Sequence, residues 1–262
     1  KNIMKKLSKK NYHSILKKLL PFFIKAGKKS IELSGKKLKI FTKSDQTPVS
    51  NGDLAVDKIL QDAIRSITPD IEIVSEETIG TNKVGSRTTF WLIDPIDGTS
   101  SYIKNKDEYT LNAALIVNKK PVIGIVFAPK KKRLFYSYGK GHAYEIKNKK
   151  KIKLQCNIIK KNSVSALVNS SNPSKIIKKI LTKHKATSFL DVRSSYKFCL
   201  IASGEFDIYA ARPRAKEWDI AAGHALAEHA GAVISTHQHK TIVYGKPHFY
   251  NPSLLVRRSK NI

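Results

Sequence analysis

Cysteine is nearly absent from this chain. The two present in 262 residues, Cys156 and Cys199, allow at most one disulfide and offer no metal-ligand spacing. That usage suits a reducing compartment with both thiols buried and inert. No segment approaches the roughly 18 apolar residues that a membrane span needs. The longest candidate, Ala113 to Val126, is interrupted by Asn118-Lys119-Lys120. Near the N-terminus, lysines break up Ile15, Leu16, Leu19 and Leu20, and no small-residue cleavage site follows. The pattern reads as an amphipathic helix rather than a signal peptide, so a cytoplasmic location is expected, with membrane association left open but not predicted. Acidic residues are also scarce, 20 against 49 basic ones, for a formal charge of +29. Arginine is scarcer still: eight of the 49 basic residues, leaving 41 lysines. Lysine pairs are spread from Lys5-Lys6 to Lys178-Lys179. A nucleic-acid binder gathers its cations on one element, often with interleaved aromatics. The spread fits solvated faces instead, and no specific nucleic-acid partner is expected, although the net field would still draw in small anions.

What is present is a globular composition. At 41% hydrophobic and 8% aromatic residues, the chain can bury a sizeable core as one large domain or two coupled lobes. Residues from about 8 to 33 read as a first helix, with Pro21 marking a kink or early break. Ser50 to Ile67 carries Val56, Ile59, Leu60, Ala63, Ile64 and Ile67 on a 3.6-residue stripe, opened by a capping box of Ser50 and Asp53. Short strands are expected at Ile71 to Val74 and Thr88 to Ile93. Four more, separated by turn residues, between Thr110 and Ile146 form an antiparallel meander. The charged stretch Lys147 to Lys153 reads as a loop and divides residues 1–153, a lobe of helices on an antiparallel sheet, from residues 154–262. Beyond it, strands at Ser165 to Val168 and Phe206 to Tyr209 alternate with helices at Ser174 to Lys183, Ser195 to Ala202 and Ile220 to His229. The fold class is α/β, in layers.

In so basic a chain the placement of carboxylates is informative. Glu76-Glu77 ends one strand, Asp94 and Asp97 flank Pro95-Ile96 at the end of another, and Asp219 follows Trp218 near a helix start. Such ends converge on ligand crevices in α/β folds, and Mg²⁺ takes oxygen ligands from a few carboxylates. Taken singly, each acid has an ordinary reading: Asp219 a helix cap, Asp94-Pro-Ile-Asp-Gly a turn, Glu76-Glu77 a solvated loop, Asp53 a capping acid. Their joint occurrence in this order favours a shared site.

The segments Ser75-Glu76-Glu77, Trp91-Leu-Ile-Asp94-Pro-Ile-Asp97-Gly-Thr99 and Trp218-Asp219-Ile-Ala-Ala-Gly223 resemble the paired signatures of the inositol monophosphatase superfamily. Lys43-Ser-Asp-Gln-Thr-Pro48-Val-Ser, Glu108-Tyr-Thr-Leu-Asn112, Ser194-Ser-Tyr-Lys197-Phe-Cys-Leu200 and Gly223-His-Ala225 are similar to its CysQ-type branch, the 3′(2′),5′-bisphosphate nucleotidases. The resemblance runs from about Lys43 to Val256. It implies a layered αβαβα sandwich and hydrolysis of a small phosphate monoester with two or three Mg²⁺ ions. Glu76, Asp94, Asp97, Asp219 and the Ile96 carbonyl would hold the metals, with Ile96, Asp97 and Asp219 also bordering the substrate. Gly98 and Thr99 would offer backbone N–H groups to the phosphate at a helix start. Asp53 and Thr99, with Glu76, would activate the attacking water. Ser194 and Lys197, at another helix start, would meet a second phosphate. Two departures bear on substrate: Ser100-Ser101 where this branch often has Lys-Glu, and Ala211 where several relatives have an arginine. An inositol monophosphatase or broad sugar phosphatase, and a basic regulatory protein that binds nucleic acid, remain alternative readings. Nothing in the sequence specifies an oligomeric state.

Other signals carry less. Gly139-Lys-Gly141 is flanked by strands and reads as a hairpin turn rather than a phosphate loop. His224, His229, His237 and His239 miss the spacing of a helical zinc site. No Gly-x-Ser-x-Gly elbow is present.

Overall fold

The computed structural model describes residues 9–44, 46–79 and 87–262; Lys5-Lys6, Asp45 and the expected first residue of the opening helix lie outside them. Helix α1 (Lys9–Leu33) is one continuous element, although Pro21 lies inside it. The proline does not break it as expected. Pro21 and Lys17, whose carbonyl loses its intrahelical donor, are both exposed, so water can satisfy that carbonyl. Meanwhile Leu16, Leu19, Phe23 and Ala26 on the opposite side are fully buried. Helix α2 (Asn51–Ile67) opens with the expected capping box and buries Val56, Leu60, Ala63 and Ile64.

These two helices cover one face of a seven-stranded sheet. Its strands are β3 (Ile73–Ser75), β4 (Phe90–Asp97), β5 (Thr110–Val117), β6 (Lys120–Ala128), β7 (Arg133–Ser137), β8 (Ala143–Lys147) and β9 (Lys150–Lys153), in sequential order. All neighbours are antiparallel except β3 and β4. A small ribbon of β1 (Ile40–Thr42) and β2 (Pro48–Ser50) leads into α2. Strand β4 shows the two-residue period of a strand buried on both faces: Trp91 and Ile93 join the core under α1 and α2, while Phe90 and Leu92 join the core on the other side.

That second core holds α5 (Tyr196–Ala202) and α6 (Glu217–His229). Beyond them lies a five-stranded sheet, ordered β11 (Ala186–Asp191), β10 (Val164–Val168), β12 (Ile208–Ala211), β14 (Leu254–Arg257), β13 (Val233–Ser235). Helix α4 (Lys175–Lys183) closes its outer face through Ile177 and Leu181. The layers therefore run α, β, α, β, α. Close approach of α6 to the larger sheet and to α5 depends on small residues. A Cβ on Gly124 of β6 would meet the Ala222 carbonyl and Ala225, and one on Gly223 would meet the Phe198 ring.

The stretch Lys147 to Lys153 is not a loop. It completes β8, turns at Asn148-Lys149 with both φ positive, and returns as β9, whose four residues are all exposed. A lysine-rich edge strand resists further pairing and carries no apolar alternation, which is why it reads as loop. Of Lys147 to Lys153, only Asn148 and Lys149 are turn.

Candidate active site

Strand β4 ends by delivering two carboxylates to one side. In a regular strand Asp94 and Asp97, an odd number of residues apart, would face opposite ways. Here Asp94 pairs with Asn112 and Asp97 with Thr110, so Pro95-Ile96 contains one extra residue, a β-bulge. Bulges re-aim side chains, and proline is tolerated there because it owes the ladder no N–H. Ile96 consequently joins Trp91 and Ile93 in the core under α1 and α2, and the two aspartates act directly on each other electrostatically. Parallel pairing sets Ser75 beside Ile93, and the Glu76 amide donates to the Ile93 carbonyl at 3.1 Å, so Glu76 comes alongside Asp94.

Asp219 arrives from the facing layer. It is the third residue of α6, not the N-cap the sequence suggested; Lys216 occupies that position, and its N–H donates to Asp219 Oδ2 at 2.7 Å. Glu217, fully buried, accepts from the Gly245 and Lys246 amides and from Lys246 Nζ at 2.6 Å. This ties the helix start to the 245–246 turn.

Glu76, Asp94 and Asp219 each bring a carboxylate oxygen within 4.8 Å of the others. Asp97 stands beside this trio, its Oδ2 accepting from the Ser195 amide at 2.5 Å. Burial first, then the charges of Glu76, Asp97 and Asp219, hold the Asp94 carboxyl well above the usual range. Burial and then Asp97 push Asp219 up to about 8. Burial pushes Asp97 up to about 6 against the pull of the Lys197 ammonium. Asp94 is 2% exposed, and its Oδ1 has no hydrogen-bond partner among the described residues. Mutually repelling carboxylates, buried or half-buried, with an orphaned oxygen are costly alone and suited to a hard cation that takes oxygen ligands. The donor set fits a magnesium-type ion. No histidine joins this cluster: His224 pairs with the Tyr244 hydroxyl at 2.8 Å and His229 with Ser137.

Thr99 opens α3 (Thr99–Ile103), preceded by Gly98 at φ +92, where a Cβ would also meet the Glu108 carbonyl at 2.8 Å. Glycine is therefore required. With five residues, α3 carries little macrodipole, so backbone N–H groups rather than a helix field are what it presents. Thr99 Oγ1 lies 3.1 Å from the Ile96 carbonyl and 3.4 Å from Asp53 Oδ1. Asp53 Oδ2 meanwhile accepts from the Ser50 amide at 2.7 Å and the Ser50 hydroxyl at 2.5 Å. Burial raises the Asp53 carboxyl against the lowering effect of those bonds. Asp97, Gly98, Thr99, Ser194, Lys197 and Asp219 all border one cavity of about 460 Å³.

Lys197 differs from the free cation expected. It is 5% exposed, and its Nζ donates to the Val192 carbonyl at 3.0 Å and the Ser194 carbonyl at 2.6 Å. Burial pushes its ammonium down to about 8, opposed by Asp97. Ser194 sits at φ +59, a geometry those bonds hold. The Ser195 amide at this helix start is taken by Asp97 and is not free for an anion.

Several supporting residues had no assigned role. Lys43 Nζ reaches Glu76 at 3.1 Å and Glu77 at 2.8 Å. Burial lowers its pKa, but the two glutamates raise it more, to about 12. Asp57 accepts from Ser75 Oγ at 2.5 Å and from Gln61 at 2.7 Å, fixing the end of β3. Ser195 Oγ donates to Asn112 Oδ1 at 2.6 Å, joining α5 to β5. Lys43, Asn112 and Ser195 fall inside the branch-like segments of the sequence, which was the available signal. Asp57, one helical turn beyond Asp53, had none.

The chain is similar to several known proteins. The 3′(2′),5′-bisphosphate nucleotidase CysQ of Escherichia coli strain K12 is 34% identical over 226 residues, covering 84% of this chain and 89% of that one. A crystal structure of CysQ from Bacteroides thetaiotaomicron superposes with a TM-score of 0.73 at 27% identity, over 90% of this chain and 94% of that chain. An IMPase/NADP phosphatase complexed with Mg²⁺ and phosphate shares the fold at a TM-score of 0.75 and 21% identity, over 93% of this chain and 90% of that one. The family model described as the inositol monophosphatase family matches residues 12–260. With that match spanning nearly the whole sequence, this chain belongs to the inositol monophosphatase family.

Proposed function

We propose that this protein is a Mg²⁺-dependent phosphoric monoester hydrolase whose substrate is a nucleoside 3′(2′),5′-bisphosphate, cleaved to the nucleoside monophosphate and inorganic phosphate. The observation that carries the reading is the trio of Glu76, Asp94 and Asp219 beside a cleft, with Asp94 buried and one of its oxygens unpartnered among the described residues. The substrate class is supported by 34% identity to the E. coli bisphosphate nucleotidase.

Glu76, Asp94, Asp97, Asp219 and the Ile96 carbonyl would hold the metal, which would supply positive charge to polarise the phosphate and lower the pKa of a water. The chain's own residues handle the proton. Thr99 Oγ1 can pass its hydrogen to Asp53 Oδ1 while taking one from the attacking water. Burial favours the protonated form of Asp53 that results. Ser50 keeps the other Asp53 oxygen fixed throughout. The Gly98 and Thr99 amides would face the phosphate that is cut. A cytoplasmic location fits two buried free cysteines, and no helix among the described residues is long and apolar enough to cross a membrane.

Ala211, where several relatives carry arginine, favours a second reading, an inositol or sugar monophosphatase. Phosphate release with Mg²⁺ from 3′-phosphoadenosine 5′-phosphate, inositol 1-phosphate and fructose 1,6-bisphosphate separates the two. The nucleotide should give the highest kcat/KM; a preference for inositol 1-phosphate would overturn the nucleotidase assignment, and no release from any would overturn the hydrolase.

A further inference from the structure

Arginine is the scarce cation of this chain, and most of its eight copies are committed. Arg65 meets Asp62, Arg87 meets Glu72, Arg133 meets Glu145 and Glu205, Arg257 meets the Ile262 carbonyl, and Arg258 meets Asp207. Arg193, Arg212 and Arg214 have no hydrogen bond or ion pair among the described residues. All three border the cavity that contains Asp97 and Asp219. They arrive from two separate segments, Arg193 from the turn before α5 and the other two from the loop after β12. Arg193 and Arg214 both act on Lys197, helping to push its ammonium down. Like charges brought together from separate segments repel unless an anion lies between them.

The space around them is larger than one phosphate requires. A second cavity of about 600 Å³ shares Asn169, Ala211, Arg212 and Arg214 with the first. The Ala211 methyl leaves the junction open, and no acidic side chain lines the second cavity.

We propose that Arg193, Arg212 and Arg214 anchor the non-reacting phosphate of a doubly phosphorylated substrate, the role that sequence reasoning gave to Lys197. Lys197 is less suited to it, because two carbonyls take two of the three N–H donors of its ammonium and Asp97 lies close. Guanidinium groups present a planar fork that matches phosphate oxygens two at a time. The inference rests on the reading above that the Asp97 and Asp219 end of the cleft holds the phosphate that is cut.

The test compares adenosine 3′,5′-bisphosphate with adenosine 3′-monophosphate, which differ only in the 5′-phosphate. The full chain is assayed with Mg²⁺ as wild type, as Arg193→Gln, Arg212→Gln and Arg214→Gln, and as the triple variant. All three side chains are exposed, so the variants should melt with the wild type. The ratio of kcat/KM for the bisphosphate to that for the monophosphate should fall at least about tenfold in the triple variant, mainly through KM. Calorimetric titration with adenosine 5′-monophosphate and with adenosine reads the same anchor without turnover. Wild type should bind the nucleotide more tightly, and the triple variant should lose that difference. A ratio within about twofold of wild type in the triple variant overturns the proposal, as does equal wild-type affinity for the nucleotide and adenosine. If no substrate releases phosphate while the arginine-dependent nucleotide preference persists, the hydrolase reading falls and the anchor stands.

Discussion

Asp53 divides its carboxylate between a helix start and a hydroxyl: Oδ2 accepts from Ser50, and Oδ1 lies 3.4 Å from Thr99 Oγ1. The capping reading and the catalytic reading of this residue are therefore compatible, because different oxygens serve each. Thr99 has one hydroxyl proton for two acceptors, Asp53 and the nearer Ile96 carbonyl. Asp53→Asn keeps an oxygen to accept from Ser50 and removes the proton acceptor. It should melt close to wild type, because the cap is kept, while kcat falls roughly a hundredfold. Thr99→Val should lower kcat far more than it raises KM, because the interaction matters chiefly in the transition state. Near-wild-type turnover in Asp53→Asn would leave only the cap.

Asp94 is the acid with least compensation in the resting site. Asp94→Asn keeps its volume and removes a buried charge that four neighbouring carboxylates repel. Metal-dependent turnover should disappear, as it should in Asp219→Asn. In EDTA, however, Asp94→Asn should melt no lower than wild type, since it relieves repulsion rather than breaking a pair. A clear drop in its melting temperature would mean that the carboxylate has a stabilising partner after all.

How much of this was legible in the sequence depends on what each residue does locally. The carboxylates stood out because acids are rare here and cluster at element ends. The alternation of β4 and the stripe of α2 have clear periods. What could not be read is set by pairing and packing. The bulge that turns Asp94 and Asp97 to one side appears only in the register with β5. The burial of Lys197 follows from the 192–194 turn folding over it. Edge strands β9 and β11 lack a buried face for most of their length, so hydrophobic periodicity had nothing to detect. Arg193 stands 19 and 21 positions before Arg212 and Arg214, and the two segments reach one cavity only through the five-stranded sheet and α5.

Metal affinity should depend on pH. Burial and mutual repulsion raise Asp97 to about 6 and Asp219 to about 8. Below those values the metal-free site keeps protons that a cation must displace, so apparent Mg²⁺ affinity should rise as pH increases from about 6 to about 8. Stability moves the other way without metal. A carboxyl with a raised folded pKa binds more protons folded than unfolded, so stability is lost as pH rises from the unfolded value toward the folded one. The gain in melting temperature on adding Mg²⁺ should accordingly be larger near pH 8 than near pH 6. An equal gain at both would show that the cluster is already ionised when empty.

The Ala-Ala-Gly that follows Asp219 should matter through packing rather than chemistry. Ala222 presses its carbonyl toward Gly124 of β6, and Gly223 lies against the Phe198 ring. The first contact sets how closely α6 approaches the larger sheet, and so how near Asp219 comes to Asp94, and the second sets how closely α6 lies on α5. Gly124→Val adds a branched side chain where even a Cβ meets the Ala222 carbonyl, and backbone cannot rotate away as a side chain can. Overpacking of this kind costs about 1–3 kcal/mol. The variant should therefore melt several degrees lower. In whatever fraction remains folded, α6 must stand off from β6, so Mg²⁺ should bind more weakly although no ligand has changed. Denaturant unfolding and Mg²⁺ titration measured on the same preparation separate the two effects. Lower stability with wild-type Mg²⁺ affinity would mean that the position of Asp219 is set elsewhere, by Glu217 and the 245–246 turn that it holds.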